Sequence, residues 1–270
     1  MGEVMIKFKK TFQKIEKRGS KLYIKFANYK VDDGFNSNTF LNEHNENSDY
    51  IYISAYPSVK VGDKYKSISG HEPHIDTGEY INGDISISNN ETSLNYNAYN
   101  YIYSILMLLT KTTNLEKVFG SAKNNIINGT LNRVGLFHKS INDESNKVLG
   151  IENLWSNTYT HLDGLYMYNS EIYNIDSRKW DPDNSLAYKL NTDRIKLGSG
   201  YMKDVDVAGN FIYPISLDGS SNTYMAAQSN INGGDGLKYF SIGGKNITSN
   251  IYNISTESNN NFIRFVGYNK

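Results

Sequence analysis

Apolar and charged residues alternate near the start of the chain, and this pattern predicts strands. Residues 5–9 read Met-Ile-Lys-Phe-Lys, and residues 22–26 repeat the alternation. A period of two residues is typical of strands with one buried face. The Gly-Ser pair at residues 19–20 predicts a turn between them. Residues 50–56 form a continuous aromatic and β-branched run, which predicts a core strand that ends at Pro57.

A different period predicts one long helix in the first half of the chain. Apolar residues recur every three or four positions over residues 94–113, and Ser93 is its expected cap. A second, short helix is predicted for residues 115–119, ended by Gly120. Beyond residue 150 no long helical period returns, and short apolar runs alternate with Gly and Asn pairs. Helices followed by a loop-rich β half predict an α+β fold.

The polarity of residues 32–49 predicts a linker. This stretch is rich in Asn, Ser and acidic residues and contains few apolar residues. We therefore expect residues 1–49 to form a basic N-terminal arm with β strands and a polar linker. Residues 50–270 are then long enough to form one domain with a single core.

The segment 150–164 combines residue types that predict an irregular structural corner. Glycines tolerate conformations that other residues avoid, and short polar side chains bond to nearby backbone groups where no strand ladder does so. A tryptophan in such a segment is expected to be buried. The residues concerned are Gly150, Asn153, Trp155, Asn157, Asp163 and Gly164.

This segment also carries a resemblance. Its order, Gly-x-x-Asn-x-Trp followed by Asp-Gly, resembles the central motif of the C-type-lectin-like domains of formylglycine-generating enzymes and bacteriophage virion proteins. The phage branch is more similar, because the features at 211–214, 219–224 and 236–240, and Arg264 in a closing strand, follow in the same order. The chain departs from the motif at Ser156, His161 and Phe262. The resemblance implies a C-type-lectin-like domain, with a loop-rich mixed or antiparallel sheet and one or two helices in the first half.

Composition excludes cysteine chemistry, and the sequence places a net positive charge near the N-terminus. The chain has no cysteine, which excludes disulfides, thiolate metal sites and thiol nucleophiles. Net charge is zero, but the first thirty residues hold nine Lys or Arg against two Glu, so they carry +7 and the remainder −7. We expect this basic arm to dock on other virion proteins. Nucleic acid is not favoured, since no stacking motif was found beside the charges.

Two groups of residues are candidate ligand contacts. Trp180, Asp181, Asp183 and Asn184 combine a stacking face with oxygen ligands, which suits a sugar. A plain surface turn is the alternative for this group. The resemblance places Tyr224, Lys238, Tyr239 and Asn246 at ligand-contacting positions. No catalytic residue, cofactor or metal site is predicted, because the paired His71 and His74 lack a third ligand at a recognisable spacing.

These observations and the resemblance predict a non-enzymatic structural protein of a bacteriophage virion. It is expected on the outside of the capsid or tail, with loops that bind a host-surface glycan or protein. We expect assembly in the host bacterial cytoplasm, a homo-oligomer, and no membrane segment or export signal. One alternative is a capsid decoration or connector protein with virion partners alone. The other, a formylglycine-generating enzyme, is disfavoured because that chemistry uses active-site cysteines with copper.

Overall fold

The computed structural model describes most of the first two thirds of the chain and the strands of the last third. The described residues are 3–42, 46–75, 91–120, 122, 127–141, 144–154, 156, 159–175, 187–189, 198–209, 211–218, 228–231, 237–243, 254–255 and 261–268.

Two sheets organise the described residues. The smaller sheet has four antiparallel strands in the order β1–β4–β19–β7, which are Met5–Lys9, Tyr50–Ser54, Phe265–Tyr268 and Glu91–Ser93. It therefore joins both ends of the chain in one ladder.

The larger sheet has nine strands and belongs to the second half of the chain. Its order is β12–β11–β10–β16–β17–β15–β13–β14, and β18 pairs with β10. The strands are β10 (Tyr159–Tyr168), β11 (Glu171–Ile175), β12 (Ala187–Lys189), β13 (Gly198–Ala208), β14 (Phe211–Asp218), β15 (Gln228–Ile231), β16 (Leu237–Gly243), β17 (Ile254–Ser255) and β18 (Asn261–Phe262).

Three two-stranded hairpins lie beside these sheets. They are β2 (Phe12–Arg18) with β3 (Lys21–Ala27), β5 (Val59–Val61) with β6 (Lys64–Lys66), and β8 (Lys147–Val148) with β9 (Ile151–Glu152). The first hairpin turns at residues 19–20, as the sequence predicts.

The predicted helices are present, with one corrected cap. Helix α1 spans Tyr96–Thr110 and α2 spans Leu115–Phe119; a short 3-10 helix covers Asn38–Phe40. The side chain of Asn95 caps α1 by accepting a hydrogen bond from the amide of Ala98 at 2.8 Å, whereas Ser93, the expected cap, lies in β7. Neither described helix is long and apolar enough to cross a bilayer.

Helix α1 packs through its aromatic side chains. The Tyr101 ring makes edge-on contacts with Phe8, Phe26 and Phe40, at centroid distances of 6.2, 5.5 and 5.4 Å. Tyr99 is fully buried on the same helix, and burial raises the pKa of its phenol well above the usual range. The apolar side chains of both sheets belong to the same core cluster. The helix thus lies at the centre of one continuous core.

The predicted α+β, C-type-lectin-like fold class is wrong. Of the residues that the structure describes, 48% lie in strands and only 13% are helical, and the described part of the first half is not rich in helix. The clear helical period of α1 suggested a higher helix content than the described residues have. In the second half, strands are longer than their polar residues suggest. Strand β13 contains Asp204 and Asp206, which have low strand propensity, yet it runs for 11 residues.

The basic N-terminal segment is part of this fold. Strand β1 pairs with β4 along its whole length, and Ile15 of β2 is buried in the core. Lys17 forms an ion pair with Asp204 of β13 at 2.9 Å. Residues 5–27 therefore contact elements from both halves of the chain.

Most cations of this segment are paired with acids nearby. Glu16 contacts Lys14 at 2.8 Å, Arg18 at 2.7 Å and Lys25 at 3.5 Å. The hydrogen bond from Lys14 is the main cause that lowers the pKa of Glu16 to about 2. Glu16 is already counted in the +7, so the pairs that offset this charge are those with acids beyond residue 30, namely Asp32, Asp33 and Asp204.

Acid should weaken the hairpin through Glu16. Because the folded pKa of Glu16 lies below its unfolded value, the stability that Glu16 contributes is present above pH 4.5 and is lost as pH falls toward 2. We expect Glu16→Gln to lose less free energy of unfolding than the wild type between pH 5.5 and pH 3. Urea titrations at both pH values measure this, with Asp33→Asn as the control, because Asp33 pairs with Lys30 alone. Equal pH dependence of Glu16→Gln and the wild type would contradict the prediction.

Candidate functional site

The β8–β9 hairpin brings two charged residues together inside the protein. Leu149 and Gly150 form its two-residue turn with φ values of 51° and 86°, and this left-handed pair matches the twist of a tight hairpin. A Cβ at position 150 would lie 3.0 Å from Ile6. The turn pairs Lys147 with Glu152 across the two strands, and both residues are buried.

Arg264 binds the backbone at the end of this hairpin. Its side chain is completely buried. Its Nη2 donates to the carbonyl oxygens of Glu152 and Asn153 at 2.5 and 2.6 Å, and Nη1 donates to that of Ser54 at 3.3 Å. Burial lowers the pKa of Arg264 to about 9, while the charge of Glu152 opposes that shift. The guanidinium therefore joins β4, β9 and the start of β19.

The Glu152 carboxylate faces a surface loop. Its oxygens accept hydrogen bonds from the amides of Gly129 and Leu131, at 2.9 and 3.1 Å. Burial raises the pKa of Glu152, and the two amides with the charges of Lys147 and Arg264 oppose the rise. Glu152 therefore fixes the backbone of residues 129–131.

Lys147 and Asn128 fix the same loop at other points. The Lys147 ammonium donates to the carbonyl oxygens of Leu131 and Val134, at 2.8 and 3.3 Å. The Asn128 amide donates to those of Pro57 and Ile68, at 2.9 and 3.2 Å. We call residues 127–141 the anchored loop, because buried polar side chains hold its first half at residues 128–134. Backbone hydrogen bonds hold its second half, at residues 136, 138 and 140.

The anchored loop exposes large apolar side chains despite this support. Leu136 is 62% exposed and Ile141 is 66% exposed. Ile127, Val134 and Phe137 are exposed as well, and the Phe137 ring stacks on the buried Phe119 at a centroid distance of 5.8 Å. Such a group of apolar side chains on a fixed backbone is typical of a surface that binds another protein.

The charge around the anchored loop favours an acidic partner. Arg133, Lys139 and Lys117 are exposed, and the Lys139 ammonium donates to the carbonyl oxygen of Lys117 at 3.2 Å. Glu144 is the exposed acid next to the loop, and its amide donates to the carbonyl oxygen of Ile141. Among the described side chains, these three exposed cations outnumber the one exposed acid, and this excess complements a partner with acidic residues around an apolar centre.

Four residues of the 150–164 motif lie in the described part of the chain. Gly150 forms the hairpin turn, and Asn153 adopts a φ of 51° while its side chain accepts from the amide of Asn146 at 3.1 Å. Gly164, with a φ of 78°, lies where the β10–β16 register shifts. The Asp163 carboxylate lies 3.1 Å from Nε2 of His161. Trp155 and Asn157 lie outside the described residues.

Two of the predicted ligand contacts have a described backbone. Lys238 and Tyr239 lie in β16, where they pair with Met167 and Tyr166 of β10, and their side chains are not described. The other predicted contacts lie outside the described residues: Trp180, Asp181, Asp183, Asn184, Tyr224 and Asn246.

The described part of the chain contains no group of three or more His, Asp or Glu residues placed to hold an ion. His74 instead packs beside the ring of Tyr65, at a centroid distance of 5.7 Å.

Sequence reasoning missed the anchored loop. Residues 131–137 read Leu-Asn-Arg-Val-Gly-Leu-Phe, in which apolar residues fit neither a helical nor a strand period. That mismatch was the available signal, since apolar residues outside regular structure are either buried in loops or exposed for binding.

A scan against protein-family models and a search among curated proteins both find no match to this chain.

Proposed function

We propose that this chain is a non-enzymatic structural protein on the outside of a bacteriophage particle. The observation that carries the proposal is the anchored loop, a fixed backbone that presents Leu136, Phe137 and Ile141 to solvent. A protein that assembles with others needs such a surface, because apolar burial drives association and a rigid loop loses little entropy on binding.

The order of the motif supports the phage assignment. The resemblance joins the segment that begins at Gly150 to an arginine near the C-terminus. In the structure, Arg264 donates to the carbonyl oxygens of Glu152 and Asn153. This contact gives the two separated parts of the motif a common physical role, the support of the β8–β9 hairpin.

We propose other virion proteins as the partners of the anchored loop. This is also the arrangement expected of a capsid decoration or connector protein. Contacts between copies in a homo-oligomer and contacts made by the N-terminal segment are further parts of the proposal. Host-surface binding by the C-terminal loops remains a separate proposal, because those loops lie largely outside the described residues.

Particle imaging tests the proposal. Particles purified from a culture that produces the chain are labelled with an antibody against it and imaged in negative stain. Regular labelling on head, neck or tail is the expected result. Particles without label, together with recovery of the chain only in the soluble cell fraction, would reject the virion assignment.

Charges placed on the anchored loop should prevent incorporation into particles. In the Leu136→Asp/Ile141→Asp variant we expect at least about a tenfold drop in copies per particle, because acidic groups would enter an apolar contact. Stability should change by less than about 1 kcal/mol, since both side chains are exposed. Quantitative immunoblots of purified particles measure incorporation, and thermal melts measure stability.

Val31→Asp is the matched control, because Val31 is 54% exposed and lies outside the anchored loop. Normal incorporation of the double variant would show that virion contacts use another surface. The N-terminal segment would then be the next surface to test.

A further inference from the structure

The four-stranded sheet has one face turned toward the core and another that is partly open to solvent. Ile51 and Ile53 of β4 are completely buried, whereas Tyr50 and Tyr52, which alternate with them, are half-buried. Because side chains alternate along a strand, the two tyrosines lie on the face opposite the core, about 7 Å apart along the strand. They form a pair of aromatic rings on a flat support.

Two lysines from the neighbouring strand lie on this face. Lys9 is opposite Tyr50 and Lys7 is opposite Tyr52 in the β1–β4 register, and both lysines are exposed. The Lys7 ammonium lies 3.6 Å from the centroid of the Tyr50 ring and 5.8 Å from that of Tyr52. We call Lys7, Lys9, Tyr50 and Tyr52 the aromatic–lysine face.

One end of this sheet face is covered by apolar side chains. Tyr65, Ile263 and Phe265 form a small buried cluster, with Met5 of β1 packed against it. At the other end, Gly267 of β19 pairs with Tyr52 and places no side chain beside its ring. The aromatic–lysine face therefore begins where the covering cluster ends.

The polar groups of this face have unused bonding capacity. Lys14, Lys17, Arg18, Lys25 and Lys30 each form an ion pair, whereas no acid in the described part of the chain pairs with Lys7 or Lys9. No hydrogen bond within the described residues engages the hydroxyl of Tyr50 or Tyr52. Lys7 already lies on the Tyr50 ring. The two ammonium groups, the two hydroxyls and the ring of Tyr52 are thus the groups that a ligand can contact.

We propose that the aromatic–lysine face binds an acidic polysaccharide. Sugar rings present C–H faces that lie on tyrosine rings, and their hydroxyls bond to phenols. Carboxylates on the sugars pair with the two ammonium groups through charge-assisted hydrogen bonds. The inference names a ligand class for the host-surface contact and rests on the proposed function only for the source of the glycan.

The amount of free charge favours an acidic glycan over single-stranded nucleic acid. Paired tyrosines on a sheet also suit stacked bases, so the chemistry of the rings alone does not decide. Nucleic acid carries a phosphate on every nucleotide, and tight binding at physiological salt needs many cationic contacts. This face offers two lysines that no described acid pairs with, on a chain of zero net charge. A polysaccharide with sparse carboxylates needs no more than two cationic contacts.

Binding to polygalacturonate tests the inference, with neutral dextran and an oligothymidylate as comparison ligands. In biolayer interferometry with the purified full chain, we expect binding to polygalacturonate that weakens with added salt, and little binding to dextran. Lys7→Gln/Lys9→Gln and Tyr52→Ala should each weaken binding by about tenfold, because each removes contacts of roughly that value.

Two variants serve as controls. Lys21→Gln removes an exposed lysine of β3, and Tyr29→Ala removes a tyrosine that is 70% exposed outside this face. Neither should change the affinity, and circular dichroism should show the same fold for all variants. Equal losses in the controls would mean that any exposed lysine or tyrosine suffices, and that result would overturn the proposal.

Other outcomes overturn the proposal in different ways. Absence of wild-type binding to polygalacturonate would remove it. Tighter binding of the oligothymidylate, lost in the same variants, would identify the face as a nucleic-acid site instead. If the chain binds the glycan but the antibody labels no particles, this inference stands and the proposed function is rejected. If particles are labelled but the chain does not bind the glycan, the proposed function stands and this inference is rejected.

Discussion

Replacing Arg264 by methionine should lower the free energy of unfolding by about 3–5 kcal/mol, because it removes a buried charge that its neighbours depend on. Methionine keeps much of the side-chain volume, so the loss measures the polar contacts more than a cavity. The carbonyl oxygens of Ser54, Glu152 and Asn153 would lose their guanidinium donors inside the protein. Buried acceptors without partners are costly because they were taken out of water.

The charge of Glu152 adds to this effect. Its carboxylate is buried, and the positive charge of Arg264 helps to keep the pKa of Glu152 from rising further. In Arg264→Met that carboxylate would retain the charge of Lys147 and two amide donors but lose the guanidinium. Arg264→Lys should fall between the wild type and Arg264→Met, because one ammonium cannot reach all three carbonyl oxygens.

Urea denaturation measures these differences. Arg18→Ala is the matched control: Arg18 is 63% exposed at its side chain and pairs with Glu16 on the surface, so we expect a loss of at most about 1 kcal/mol. If Arg264→Met were no more destabilised than Arg18→Ala, the guanidinium would not hold the β8–β9 hairpin. The physical link between the two parts of the motif would then be lost.

The local pattern was sufficient to predict the long helix but not its cap. Apolar spacing identified the segment that forms α1, since helical packing repeats every three or four residues. Both Ser93 and Asn95 are good capping residues. The choice between them depends on Phe265, which pairs with Ser93 in the sheet. A partner from the other end of the chain is not visible in a local window.

The strands of the second half show a different limit. Asp204 and Asp206 argue against a strand by propensity, yet β13 contains both. Each carboxylate accepts a hydrogen bond from the next residue's amide, at 2.9 Å for Val205 and 2.8 Å for Val207. Local side-chain bonds of this kind accompany the irregular β13–β14 register, which shifts around Asp204. Propensity alone therefore underestimated the β content.

The candidate site depended on contacts that no sequence spacing encodes. The glycine at position 150 was recognised as a backbone requirement, and a φ of 86° explains it. The partners of Glu152 could not be predicted, because Gly129 and Leu131 belong to a distant loop. For the same reason, the tyrosines at positions 50 and 52 were assigned to a core strand, whereas the register with β1 places lysines beside them.

Replacing Glu152 by glutamine should release the anchored loop without unfolding the protein. The amide side chain can accept from Gly129 or Leu131 through its oxygen, but its NH₂ group then faces the other amide donor. Leaving one buried donor unpaired costs about 1–3 kcal/mol. If the free energy of local opening of the loop decreases by that amount, amide exchange at residues 129–131 should accelerate by about 5- to 150-fold.

Hydrogen–deuterium exchange followed by mass spectrometry measures this release. Peptides from the anchored loop should exchange faster in Glu152→Gln, while peptides from α1 keep their wild-type rates. Glu144→Gln is the control, because Glu144 lies beside the same loop with an exposed side chain. Uniform acceleration across the chain would show that Glu152 supports the whole fold. Unchanged exchange at residues 129–131 would show that Lys147 and Asn128 hold the loop alone, and the rigidity on which the proposed protein contact depends would not come from Glu152.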